Sequence, residues 1–135
     1  MVGGGPVRLE LVWLDARLAL AIHDRQLAEH GGPSGLRDAG ALESALTRAR
    51  NQWEYGEDDL CALAAAHAFG IARNHPFADG NKRTAWVLAR TFLVLNGVEV
   101  AFQAGEAFAT VQSLAAGDLT EAELTDWFRQ HTGPR

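Results

Sequence analysis

The sequence predicts an all-α bundle, on three observations. Apolar residues recur at helical spacing in six successive segments. Glycine-bearing stops, His30-Gly31-Gly32-Pro33 and Asn96-Gly97, interrupt the pattern where a helix must end. Only Val98–Phe102 reads as a short strand or extended connection, so helix-on-helix packing has to supply the core.

Leu14, Leu18, Ala21 and Ile22 mark a first helix over 15–29, with Asp15 placed to cap it. Leu42, Ala45, Leu46, Ala49 and Trp53 keep the same spacing in a second helix over 39–53. A third, 58–73, turns Leu60, Leu63, Ala64, Ala68 and Ile71 inward. The fourth, Asn81 to Leu95, is apolar nearly all round, which marks it as the buried central helix. Phe108, Val111 and Ala115 indicate a fifth. Thr120-Glu-Ala-Glu fits a capping box and opens a sixth that buries Leu124, Trp127 and Phe128. Residues 1–8, with Gly3–Gly5, read as a flexible N-terminus, and 9–135 as one domain.

Composition narrows the function. A 47% hydrophobic share with 21% charged residues is that of a soluble globule. The net charge of −5 argues against a broad phosphate-neutralising face of the duplex-binding kind, and hence against direct nucleic-acid binding. The single cysteine, Cys61, leaves no internal disulfide or multi-cysteine metal site, and its apolar neighbours predict burial. The N-terminus lacks the pattern of a signal peptide, and the longest apolar run, Thr84 to Leu95, contains Arg90 and is too short to span a bilayer. A cytoplasmic protein without a membrane partner is the expectation.

One stretch carries the chemistry: Asn74–Trp86, NHPFADGNKRTAW, between the third and fourth helices. The first amides of a helix lack internal partners and sit at the positive end of its dipole, so they favour an anion. Gly80 permits close approach of a ligand or backbone, while Lys82 and Arg83 add two formal charges beside those amides. Together they make a phosphate site. A polyphosphate usually brings magnesium, and Asp79 is the only carboxylate in the turn to meet it. His75 is the one group there able to take a proton near neutral pH. A base, a metal ligand and a phosphate cradle are the parts of phosphoryl-type transfer.

Each residue alone has a plainer reading. His75-Pro76 could cap the third helix, Asp79 the fourth, and Lys82-Arg83 could be a solvated helix start. Their conjunction within nine residues, against an apolar helix, favours function. His67 lies on an apolar stripe and reads as a hydrogen-bonded core histidine, while His23 and His30 read as surface or packing residues. Trp53, Trp86 and Trp127 fall at core spacing. Gly80-Asn81-Lys82 fails as a Walker A loop, because Asn intervenes and the upstream glycine is missing. His23-Asp24 fails as the metal pair of HD phosphohydrolases, because no histidine precedes it.

His75-Pro-Phe-Ala-Asp-Gly-Asn-Lys-Arg83 resembles the signature of Fic/Doc proteins, most closely their death-on-curing (Doc) toxin branch. His23-Asp24, His30-Gly31-Gly32, Gly35-Leu-Arg-Asp38 and Asn96-Gly97-Val98 resemble further segments, so the similarity runs over roughly 9–131. The resemblance implies a six-helix Fic fold with the motif loop at the start of its central helix. It implies that His75 deprotonates a target hydroxyl and that Asp79 holds Mg2+. It further implies that Gly80, Asn81, Lys82 and Arg83 bind the phosphates of ATP.

AMP-transferring Fic enzymes typically have Gly where Lys82 stands and a second Arg three positions after Arg83, where this chain has Trp86. Gly80 departs differently, standing where the prototype toxin has Ala. The resemblance therefore implies a toxin kinase that phosphorylates elongation factor Tu and arrests translation, with AMP transfer to a protein hydroxyl as the alternative. No Glu is followed by Gly or Asn, so the self-inhibitory helix of many Fic enzymes is missing and a separate antitoxin is implied. Gln52–Asp58 is a candidate target-docking flap. An inactive helical module that only binds its antitoxin or another partner is the reading from a different class; the intact His75 and Asp79 argue against it.

Overall fold

A computed structural model of the chain describes residues 10–32 and 35–134. The expected flexible N-terminus, residues 1–8, and Pro33 of the first stop lie outside the described residues. Six helices run in order: α1 Ala16–His30, α2 Ala39–Glu54, α3 Leu60–Asn74, α4 Asn81–Leu95, α5 Ala104–Ala116 and α6 Glu121–His131. Two short strands, β1 Val98–Val100 and β2 Thr132–Pro134, pair antiparallel with Val100 opposite Thr132. The expected strand segment thus finds a partner, at the C-terminal end, that periodicity did not reveal.

Side chains set the helix starts. Asp15 accepts the Leu18 amide at 2.8 Å, Asp38 that of Ala41 at 3.0 Å, and Asp59 that of Cys61 at 2.8 Å. At α6, Thr120 and Glu123 cap reciprocally, as their spacing predicts.

The central helix is α3, not α4 as expected. Every residue from Leu63 to Ile71 is buried, and α2, α4, α5 and α6 all pack on this helix. Its alanines carry little hydrophobic signal, yet their small size lets neighbours approach closely. A Cβ at Gly70 would lie 2.9 Å from the Ala45 backbone, so glycine sets the α2–α3 spacing. By contrast, α4 leaves Lys82, Arg83 and Leu95 exposed.

Behind α4, Trp86 stacks on Phe128 at 5.6 Å and meets the edge of Trp127 at 5.1 Å. Trp86 is buried, as its spacing predicts, while Trp53 and Trp127 lie partly buried at the core margin. His67 is the core histidine anticipated: its Nδ1 donates to the Leu63 carbonyl at 2.9 Å, and burial lowers its pKa to about 4. Cys61 is also buried, and burial pushes its thiol pKa up. Among the described residues, no helix is long and apolar enough to cross a membrane.

Candidate active site

The turn from Asn74 to Asn81 reverses the chain between α3 and α4. His75 ends α3 in the left-handed conformation, φ 47° and ψ 56°, while its N–H still bonds the Ile71 carbonyl. It is the only non-glycine residue with positive φ among those described. Such backbone strain typically costs about 1–3 kcal/mol and persists only where surrounding structure enforces it. Gly80, at φ 75°, makes a second left-handed turn that starts α4. Its carbonyl accepts the Thr84 amide, which aligns the new helix.

Residues 35–38, between α1 and α2, form a strap along this turn. Leu36 bridges Phe77 antiparallel, the Ala78 amide donates to the Gly35 carbonyl, and the Pro76 carbonyl accepts from the Arg37 and Asp38 amides. The Arg37 guanidinium donates to the His75 carbonyl at 2.6 Å. These bonds fix the backbone of His75 while leaving its side chain exposed.

From α1, His23 Nε2 donates to the Asp79 carbonyl at 2.7 Å. Its ring lies 3.9 Å from that of Phe77 and within 7° of parallel, so both aromatic groups anchor the loop from below. His23 is 1% exposed. It packs, as one of its two expected readings allowed, but its role in holding the motif loop was missed; His30, on the same helix, is exposed. The Asp79 carboxylate reaches back over Gly32, where an added Cβ would lie 2.6 Å from Oδ2. Any side chain at position 32 would displace it.

Asn81 closes the loop on itself. Its Oδ1 accepts the Phe77 amide and its Nδ2 donates to the Phe77 carbonyl, both at 3.0 Å. Both polar atoms of the amide are thereby engaged with the loop backbone. The side chain expected to contact phosphate clasps the turn.

His75, Asp79, Gly80, Asn81, Lys82 and Arg83 line one cleft of about 320 Å³. All the predicted site residues therefore come together. Lys82 and Arg83 are exposed on the first turn of α4, where the helix amides and its dipole add to their charge. The cleft thus combines an exposed imidazole, one carboxylate and an anion-attracting helix start. That set is able to hold phosphate oxygens and accept a proton beside them. Gln52–Asp58 contributes nothing to this cleft; Gln52, Tyr55, Gly56 and Glu57 border a separate one with Arg48 and Asn51.

Sequence comparison reaches the same residues. Residues 13–93, which include α1 to α3 and most of α4, match the model of the Fic/DOC family. The chain is 34% identical over 115 residues to the protein kinase doc of Escherichia phage P1, covering 84% of this chain and 90% of that one. It is 47% identical over 74 residues to the toxin Doc of Mycolicibacterium smegmatis, covering 53% of this chain and 56% of that one.

Proposed function

The chain belongs to the Fic/DOC family, in its Doc-toxin branch, and on that premise we propose that it is a toxin kinase moving the γ-phosphate of ATP to a protein hydroxyl. The observation that carries the reading is the convergence of His75, Asp79, Lys82 and Arg83 on one cleft at a helix start. The kinase name of the phage relative, which aligns over most of both chains, supports phosphoryl transfer over other chemistries.

In this reading His75 takes the proton of the acceptor hydroxyl as the oxygen–phosphorus bond forms and the bond from the γ-phosphorus to the leaving ADP breaks. Lys82, Arg83 and the first amides of α4 hold the phosphates in line. The strap from residues 35–38 and the His23 anchor keep base and cradle in register, so little ordering is left for the moment of reaction.

Among the described residues no group of three or more His, Cys, Asp or Glu could cage a metal. A lone exposed carboxylate beside a phosphate cradle fits magnesium, which keeps its waters and shares a nucleotide's oxygens. Asp79 is the residue that would hold it. When bound there with ATP, the ion supplies neutralisation of phosphate charge.

The acceptor implied by the Doc-branch resemblance is elongation factor Tu, with arrest of translation as the outcome and an antitoxin as the restraint in trans. The protein is tested by incubation with a bacterial lysate and ATP labelled at either the α or the γ position. Label from γ alone, absent with His75→Ala, on a band of the size of elongation factor Tu supports the reading. Label from α would replace it with AMP transfer. No label from either would leave a binding module.

A further inference from the structure

Two features of α1 and its end act on Asp79 separately. His23, within the helix, holds the Asp79 backbone carbonyl. Gly32, just past the helix end, leaves room for the Asp79 carboxylate. A Cβ built on Gly32 would lie 2.6 Å from Oδ2 and 3.5 Å from Cγ of Asp79, and 3.4 Å from a Leu27 methyl. The first distance is well inside the contact distance of non-bonded atoms. A Cβ built on the adjacent Gly31 would meet nothing within 4 Å. The crowding thus belongs to position 32 and to one carboxylate. The loop backbone is fixed by His23 and by the strap, so a side chain at position 32 would swing the short, rotatable Asp79 side chain and leave the loop in place.

We propose that Gly32 is a positioning residue for the divalent cation: by lacking a side chain it lets the Asp79 carboxylate take the orientation in which it lines the cleft with His75, Lys82 and Arg83. This rests on the metal role of Asp79 proposed above. Part of the site therefore lies outside the turn that carries its chemistry, in the connection between α1 and α2. A side chain at position 32 would spare the phosphate cradle of Lys82 and Arg83 and disturb only the metal's ligand. Nucleotide binding would then lose its dependence on magnesium without losing its dependence on the cations.

The test is calorimetric titration of the intact protein with ATP, in magnesium and in EDTA, for Gly32→Ala, Gly31→Ala, Asp79→Ala and the double variant Gly32→Ala/Asp79→Ala. Both glycines have positive φ, 76° at Gly31 and 121° at Gly32, so Gly31→Ala reports backbone strain without the contact. Displacing a group that orients a metal ligand typically costs about 10- to 100-fold in metal affinity. Gly32→Ala is expected to weaken ATP by a factor in that range in magnesium and to leave affinity in EDTA unchanged, while Gly31→Ala matches the parent in both. Added to Asp79→Ala, it should weaken ATP no further, since the two changes act through one carboxylate. Parent-like affinity of Gly32→Ala in magnesium, beside a loss in Asp79→Ala, would overturn the positioning role and leave the metal ligand standing. Additive losses in the double variant, or equal losses in Gly31→Ala, would overturn it as well. If Gly32→Ala fails to fold, melting of the double variant decides: recovery of the fold places the clash at the carboxylate, and no recovery rejects it. If Asp79→Ala itself shows no loss specific to magnesium, the metal reading fails and the role of Gly32 falls with it.

Discussion

The imidazole of His23 donates a 2.7 Å hydrogen bond to the backbone carbonyl of Asp79, from a helix 56 residues earlier in the chain. The bond separates loop placement from chemistry, because His23 is buried and lines none of the clefts around the motif. His23→Phe keeps a ring against Phe77 but deletes the donor. It should cost about 1 kcal/mol in stability, whereas kcat should fall by roughly 10- to 100-fold because the loop shifts. His23→Gln, which can restore a donor near the same place, should recover part of kcat. Equal activity per folded molecule in all three proteins would remove His23 from the positioning of the loop.

His75 is expected to be dispensable for folding. His75→Ala should lower transfer by ~10²–10⁴ while sparing nucleotide binding. His75→Gly should melt no lower than the parent, since glycine accepts φ 47° without the steric cost borne by histidine. A glycine variant melting many degrees lower would mean that the side chain serves the helix end rather than the reaction.

Asn81 divides two readings of the same residue. As a phosphate contact, its loss would weaken nucleotide binding and leave stability alone. As the clasp on Phe77, Asn81→Ala strips partners from one donor and one acceptor, a destabilisation of about 1–3 kcal/mol. We expect the second outcome in urea denaturation. Asn81→Asp should lie between, since a carboxylate still accepts the Phe77 amide but repels its carbonyl.

Metal and phosphate ligands separate in titrations with and without magnesium. Asp79→Ala should weaken ATP binding only when magnesium is present, whereas Arg83→Ala should weaken it in both conditions. Identical losses for Asp79→Ala in both buffers would discard its metal role.

Stability should fall on mild acidification because of His67. Its folded pKa is about 4 against an ordinary 6.5, so below 6.5 the unfolded chain takes up a proton that the folded protein refuses. The contribution is undiminished above 6.5 and declines toward pH 4, by about 3 kcal/mol in all. His67→Gln should flatten that decline in urea denaturation across this range. His131 acts oppositely: its hydrogen bond to Glu106 raises its pKa, so its stabilisation is full below its ordinary value and is lost as pH rises through the raised one. His131→Gln should therefore steepen the acid decline, and a flattening would contradict the pairing.

Much of this was legible in the sequence. Helix starts at Asp15 and Thr120 follow from short polar side chains, and the motif residues from chemistry compressed into one turn. What failed were properties set by distant partners. Burial of α3 depends on four surrounding helices, and a run of alanines announces it poorly. The position of His23, four residues after the buried Ala19, hinted at an inward face, but nothing local shows that its target is a backbone carbonyl on another helix. Asn81 was read as a phosphate contact because its neighbours are cations, and its bonds to Phe77 were not foreseen. An amide able to contact a ligand is equally able to close a turn, and only the fold distinguishes the two.

The strap at residues 35–38 and the anchor at His23 join regions of the chain that are made at different times. A protein emerging from the ribosome cannot form these bonds until residues 75–79 have been synthesised and have left the exit tunnel. Local helix formation comes earlier and is fast, whereas closing such separated contacts follows the docking of α1 and α2 on later helices. The motif loop is therefore shaped after its own translation is well advanced. For a protein proposed to stop translation, that order delays any harm to the ribosome's work until the enzyme has been made.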